Sequence, residues 1–272
     1  VSDKIKGYLL GAIIGGVLLS LFVWFYTFAG KLFWVYAWIL FTAFTLFFTM
    51  FYTSLIVPIF NKLKPLEDVS LRAKIEAFAQ KIHFPLTNIF VIDGSKRSTK
   101  ANAYFSGIGS KKTIVLFDTL INEQTEEELV SVLAHEVGHY KMKHIQKGMV
   151  IGVLQMGALL FLLSFFINKP QLSQALGLQT EVPIFHLGLI AFSLLYSPFS
   201  MITGIFMNIF SRKNEFEADN YAKEHTGTGE HLITALRKLS ANNLSNLNPN
   251  KWYVFFHYSH PPLLERVRNL MK

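Results

Sequence analysis

The strongest constraint on this sequence is the absence of charge from four long windows. Residues 7–30, 32–61, 148–168 and 183–211 contain no Asp, Glu, Lys or Arg. Each window is about 20 to 30 residues long, which lets an α-helix cross a hydrocarbon layer of roughly 30 Å. The chain is also 51% hydrophobic, with 26 Phe, and is therefore more apolar than soluble proteins usually are. We expect a mainly α, polytopic helical membrane protein with four spans in a lipid bilayer.

The windows divide the chain into two transmembrane hairpins and two polar regions. The first hairpin occupies residues 1–61 and the second occupies residues 148–211. The polar regions are residues 62–147 and 212–272, and both carry many charged side chains. We expect the two polar regions to form one folded domain that carries a small β-hairpin or sheet.

The basic residues predict which side of the membrane the polar regions occupy. All but two of the 26 Lys and Arg lie before the first span or in the polar regions; the exceptions are Lys31 and Lys169, between spans. Because cytoplasmic segments are enriched in Lys and Arg, the polar regions are expected to face the cytoplasm. This distribution explains the net charge of +8, and no motif indicates nucleic-acid binding. The absence of Cys excludes disulfides and thiolate metal sites.

The first polar region contains the sequence HEVGH at residues 135–139. Residues four apart lie on one face of a helix, so His135 and His139 can bind the same metal ion. Glu136 then lies beside a metal-bound water and can take its proton. The alternative is a helix whose histidines line an ordinary polar surface.

Local signals predict one helix over residues 125–147. Thr125 can cap its first turn, and Glu128 completes a capping box. A third His six residues after His139, as metzincins have, would fall at Ile145. His144 would lie roughly 140° around a continuous helix from His139, so it is a poor ligand and is expected to support a ligand or lie at the surface.

The fourth window continues into a charged segment that offers a third ligand. Glu215 and Asp219 are four residues apart and share one helix face, whereas Glu217 lies about 200° from Glu215. This spacing favours Glu215 as the third ligand of a His2Glu site, with Asp219 orienting a ligating imidazole through its other ring nitrogen. The alternative is an acidic helix end at the membrane surface.

The remaining polar segments predict further local structure. Residues 66–83 have apolar side chains at helical spacing, and residues 88–93 form a short strand. Residues 101–108 and 113–117 are expected to pair as an antiparallel hairpin with a glycine-containing turn at 107–110. Residues 258–266 lead into a last amphipathic helix that has proline at its start.

Four segments together resemble the M48 metallopeptidases and, within them, the Ste24-type CaaX prenyl proteases. In chain order the segments are KRSTKANAYFSGI with KKTIVLFDTL (96–120), LAHEVGHYKMKH (133–144), NEFEAD (214–219) and YSHPPLLERV (258–267). The HtpX-like quality-control proteases share the HExxH helix and the ExxxD helix. They are the second interpretation, because FDTL and HPPLLER are more typical of the Ste24-type branch.

The resemblance implies a site with one Zn²⁺ per chain. It assigns His135, His139 and Glu215 as ligands, Glu136 as general base and Asp219 as a support for the ligands. It also implies substrate contacts: Asn102 and Ala103 lie on an edge strand that binds the substrate backbone, and His260 and Arg266 lie near the scissile carbonyl.

The resemblance further implies a membrane zinc metalloendopeptidase with a gluzincin-type site. Its substrate would be a peptide or a membrane-anchored protein, including prenylated CaaX-like sequences. Ste24-type enzymes usually have seven spans around a chamber, whereas four windows are present here, so an enclosed chamber is not expected from this sequence. A non-catalytic scaffold or transporter is a remote alternative, because the windows lack the charged residues that transport commonly needs.

Overall fold

The computed structural model describes residues 2–98, 100–106 and 112–272. The predicted class, a mainly α protein with a small sheet, is confirmed. The predicted turn at 107–110 lies outside the described residues. The α-helices are α1 Ser2–Ala29, α2 Phe33–Phe51, α3 Val57–Phe60, α4 Val69–Lys81, α5 Asp118–Glu123, α6 Glu126–Lys141, α7 His144–Phe166, α8 Pro170–Ala175, α9 Phe185–Thr226, α10 Glu230–Asn242, α11 Lys251–His257 and α12 Leu263–Met271.

The chain forms two compact units. The first unit runs to Thr49 and resumes over Gln146–Thr203, and the second comprises Met50–Ile145 and Gly204–Lys272. The first contains α1, α8, most of α2 and α7, and the part of α9 up to Thr203. The sheet, the HEVGH helix α6 and the rest of α9 belong to the second. The predicted domain boundaries fall near these divisions and stay predictions.

In the first unit, α1 and α2 form a hairpin rather than one long helix. Gly30 between them has a φ of +52°, a conformation that glycine adopts readily. The rings of Phe22 and Phe41 are 6.2 Å apart, whereas 19 residues of straight helix would separate them by about 28 Å. By length and composition, three described helical stretches could cross a membrane, and the first contains two of the predicted spans. The stretches are Ser2–Phe60, His144–Phe166 and Phe185–Thr226.

The second unit contains a four-stranded mixed sheet in the order β1-β2-β4-β3. The predicted antiparallel pairing of β3 with β4 is confirmed, and β2 pairs with β4 in parallel. The short strand β1 was not predicted, because a three-residue strand that ends in proline has almost no strand signal. β3 lies at one edge of the sheet. The strands are β1 Leu63–Pro65, β2 Leu86–Ile92, β3 Ala103–Ser106 and β4 Lys112–Phe117.

Helix α6 begins as predicted and ends earlier than predicted. Thr125 accepts a hydrogen bond from the Glu128 backbone N–H, and the Glu128 carboxylate accepts one from the Thr125 N–H, so the capping box is confirmed. The prediction of one helix over 125–147 is wrong: α6 ends at Lys141, and α7 begins at His144. Lys143 between them has a φ of +59°. This left-handed residue is usually a glycine, so a lysine there gave no sequence signal for the break.

The core of the second unit holds α6 against the sheet and α10. Fully or almost fully buried leucines join these elements, with Leu116 on β4, Leu129 on α6 and Leu232 on α10. A rigid, close-packed surrounding of this kind fixes the direction of every side chain that α6 presents on its other face.

Gly138 allows α6 and α9 to approach closely. A Cβ at this position would lie 3.1 Å from the Ala218 Cα and 3.1 Å from the Tyr221 Cβ. We expect Gly138→Ala to lower the free energy of unfolding by about 1–3 kcal/mol, because overpacking forces backbone shifts. Thermal unfolding of the detergent-solubilised protein measures this. Gly204→Ala, on α9 with nothing within 4 Å of the added atom, is the matched control. A Gly138→Ala protein at least as stable as the Gly204→Ala protein would contradict the prediction.

A candidate metal centre between two helices and the C-terminal segment

Helix α6 presents its two histidines side by side. His135 and His139 are one helical turn apart, and their Nε2 atoms are 3.1 Å from each other. His135 is buried and His139 is half-buried. Since the rings point the same nitrogen toward one position, the pair can offer two ligands to a single ion.

Helix α9 brings Glu215 to the same position. Its Oε1 is 3.3 Å from the His139 Nε2, and its Oε2 is 3.5 Å from the His135 Nε2. Tetrahedral zinc with ligand bonds of about 2.0–2.1 Å places its ligand atoms about 3.3–3.4 Å apart, so the three residues fit this ion. Among the described residues, His135, His139 and Glu215 form the group of His and acidic side chains whose ligand atoms all lie within 4.8 Å of one another.

Asp219 and Arg266 support this group from behind. Asp219 is fully buried, and its Oδ1 lies 2.9 Å from the His135 Nδ1, the ring nitrogen opposite the candidate ligand atom. Arg266 on α12 donates from Nε to the Asp219 Oδ2 at 2.8 Å and from Nη2 to Oδ1 at 2.5 Å. Its Nη1 lies 3.3 Å from the Glu215 Oε2. Arg266 thus compensates the charge of both buried carboxylates.

Burial and pairing shift the pKa values in this cluster. Burial would raise the pKa of Asp219, but hydrogen bonds from Arg266 and His135 hold it below its usual range. Burial would lower the pKa of His135, but hydrogen bonds to Asp219 and Glu215 raise it to about 9. Because a metal ligand must be a neutral imidazole, proton binding and metal binding compete at His135. Burial raises the pKa of Glu136, the predicted general base.

The structure brings both His260 and Arg266 to the site, but the two side chains differ in how accessible they are to a substrate carbonyl. The His260 Nε2 lies 3.4 Å from the Glu215 Oε1, and its imidazole is 67% exposed at the cavity. The Arg266 guanidinium is buried against Asp219 and Glu215. This placement favours a positioning role for Arg266, while His260 stays the better candidate for contact with a substrate.

Asn102 and Ala103 lie where β3 meets the cavity. The Asn102 carbonyl accepts a hydrogen bond from the Phe117 N–H of β4, at 3.0 Å. Residues alternate in an antiparallel pair, so the next backbone groups, those of Ala103 and Phe105, are directed to the free edge of the sheet. The Asn102 side chain bonds the Ala103 N–H at 2.9 Å on that side.

A cavity of about 330 Å³ joins these groups. Its polar part contains the candidate ligands together with Glu136, His260 and Arg266. The rest of the lining is mostly apolar and includes Leu120, Val132, Leu232, Leu236 and Leu239. The arrangement can hold a peptide backbone at the strand edge while an apolar side chain contacts the leucine wall.

Sequence reasoning missed several of these contributions. Leu232, Leu236 and Leu239 recur at helical spacing, and this stripe could have been read as one face of a helix. The predicted angle of about 140° between His139 and His144 was wrong, because it assumed a continuous helix. The expectation that His144 supports a ligand or lies at the surface stays a prediction. The break at Lys143 turns the His144 ring back, and its Nδ1 lies 3.0 Å from the His139 Nδ1.

Comparisons with known proteins agree with this geometry. Residues 65–272 match peptidase family M48, and residues 1–62 match the CAAX prenyl protease N-terminal region of five membrane helices. The CAAX prenyl protease 1 homolog of Dictyostelium discoideum is 40% identical over 274 residues, covering 100% of this chain and 63% of that protein. CAAX prenyl protease 1 of Saccharomyces cerevisiae is 38% identical over 286 residues, covering 99% of this chain and 62% of that protein.

A solved structure gives the same result for the fold. The crystal structure of S. mikatae Ste24p superposes with a TM-score of 0.92 at 35% identity, covering 100% of this chain and 66% of that one. This chain therefore spans less than two thirds of the length of these relatives. The N-terminal match and the apolar helices identify a multi-pass integral membrane protein. The resemblance to M48 metallopeptidases of the Ste24 type is confirmed. Because the family match covers most of the chain and every residue of the candidate site, this chain belongs to peptidase family M48.

Proposed function

We propose that this chain is a membrane zinc metalloendopeptidase that cleaves CaaX-like peptide substrates, prenylated substrates among them. The observation that carries the proposal is the convergence of three ligand atoms, 3.1–3.5 Å apart, in a cavity that also contains Glu136 and a strand edge. The names of the similar proteins supply the substrate class.

His135, His139 and Glu215 would hold the ion. A zinc ion bound there supplies a Lewis acid and a water of lowered pKa. Asp219 would keep the His135 ring in the orientation that leaves Nε2 beside Glu215 to bind the ion, and Arg266 would hold Asp219 and Glu215 in place.

Glu136 does not belong to the group of candidate ligands, and its side chain lines the same cavity as they do. This position supports the proposal that its carboxylate takes the proton of the attacking water and returns it to the leaving amine. His260, exposed at the same cavity, can donate a hydrogen bond to the developing oxyanion of the substrate.

The free edge of β3 would bind the substrate as an added strand. Main-chain hydrogen bonds from such an edge give affinity, and pockets beside it select side chains. The apolar wall next to the ligands suits aliphatic side chains, which fits a CaaX-like sequence. The excess of Lys and Arg in the polar regions supports a site that faces the cytoplasm.

The test compares three substrates with the full chain in detergent or liposomes. A prenylated CaaX peptide, its unprenylated counterpart and an unfolded membrane protein are incubated with protein of measured zinc content, and mass spectrometry locates the cuts. We expect about one zinc per chain and one defined cut in the CaaX peptide. Cuts at many sites in the unfolded protein would favour the HtpX-like alternative. A chain that binds no zinc would overturn the proposal.

A further inference from the structure

The second candidate ligand, His139, has its own hydrogen-bonded support. Its Nδ1 lies 3.0 Å from the Nδ1 of His144, and the Nε2 of His144 lies 3.0 Å from the Oε2 of Glu217 on α9. His144 is buried, with 4% of its surface exposed. Three side chains from three helices, α6, α7 and α9, therefore form one chain of contacts that ends on a carboxylate.

The protons in this chain can be placed in one consistent way. If His139 binds an ion through Nε2, its Nδ1 carries the proton and donates to His144. The Nδ1 of His144 must then accept, so its Nε2 carries the proton and donates to Glu217. This sequence of donors and acceptors gives each of these ring nitrogens a partner, and it fixes the tautomer that His139 needs as a ligand.

The backbone is shaped to make this contact. On a continuous helix His144 would point roughly 140° away from His139. The chain instead leaves α6 at Lys141, passes through the left-handed Lys143 and starts α7 at His144. A non-glycine residue is strained in this conformation, so the surrounding contacts must hold it.

The two candidate histidine ligands are thus supported in parallel ways. His135 contacts the carboxylate of Asp219 directly, at 2.9 Å. His139 reaches the carboxylate of Glu217 through His144. Both carboxylates lie on α9, two residues apart, on the same segment that carries Glu215.

We propose that His144 and Glu217 are positioning residues, which hold His139 in the orientation and tautomer that metal binding requires. This inference rests on the proposed function, because it assumes that His139 is a metal ligand. Loss of a residue that supports a metal-bound histidine typically weakens metal binding by about 10–100-fold.

The experiment measures zinc affinity of the full chain by competition with a chelator, and the visible absorption spectrum after cobalt substitution. We expect His144→Ala to weaken zinc binding by about 10–100-fold and to change the cobalt spectrum. His144→Asn should retain more affinity than His144→Ala, because its carboxamide oxygen can accept at the position of the imidazole Nδ1. Glu217→Ala should lose affinity in the same direction as His144→Ala. Glu224→Gln, an exposed residue two turns further along α9, is the control and should match the parent.

Thermal unfolding of the metal-free proteins shows whether a variant has lost general stability. A loss of zinc affinity without a loss of stability indicates a positioning role. If His144→Ala fails to fold, Glu217→Ala carries the test, since its side chain is partly exposed. Parent-like zinc affinity and cobalt spectra in both variants would overturn the inference while leaving the proposed function intact. A parent protein that binds no zinc would instead overturn the proposed function.

Discussion

Glu136→Gln is expected to retain zinc and to lose about 10²–10⁴-fold in the rate of peptide cleavage. Glutamine has the size and shape of glutamate, so the cavity and the neighbouring ligands should be preserved. Its neutral amide cannot take a proton from water, and the ligand group does not include position 136. The measurement is single-turnover cleavage at saturating peptide, together with zinc content.

Glu224→Gln makes the same chemical change at an exposed position and should cleave at the parent rate. Parent-like cleavage by Glu136→Gln would show that another group moves the proton. Loss of zinc from Glu136→Gln would show that position 136 contributes to the metal site directly.

Glu215→Ala is expected to lose zinc at concentrations where the parent is saturated. Glu215 supplies one of the three candidate ligands. Its removal should therefore weaken zinc binding by more than the roughly 100-fold that loss of a supporting residue can cause. The fold should survive, because Arg266 keeps its two hydrogen bonds to the buried Asp219. Zinc content after dialysis against a weak chelator measures the effect, and thermal unfolding of the metal-free protein checks the fold.

Asn220→Ala is a nearby control on α9, since the Asn220 side chain bonds Asn269 at 2.7 Å and does not line the cavity. It should retain zinc like the parent. If Glu215→Ala holds zinc as tightly as Asn220→Ala, a residue other than Glu215 is the third ligand. The assignment of His135 and His139 would then need the same test.

The sequence alone determined the features that depend on local spacing. His135 and His139 are four residues apart, which places both rings on one face of any helix, and Thr125 with Glu128 determines where that helix begins. The glycine-containing turn that predicted the pairing of β3 with β4 is an equally local signal. Uncharged windows predicted the membrane helices, since charge is excluded from a hydrocarbon layer wherever the rest of the chain lies.

Only the tertiary structure decided which distant residues meet at the site. Glu215 is 76 residues from His139. Its spacing from Asp219 favoured it over Glu217 as a ligand, but an acidic helix end stayed open as the alternative. The contacts of Arg266 with Asp219 and of His144 with His139 also required coordinates, because the first joins two helices and the second follows a left-handed lysine. Helical periodicity reports one face of one element, whereas a metal site depends on how several elements pack against each other.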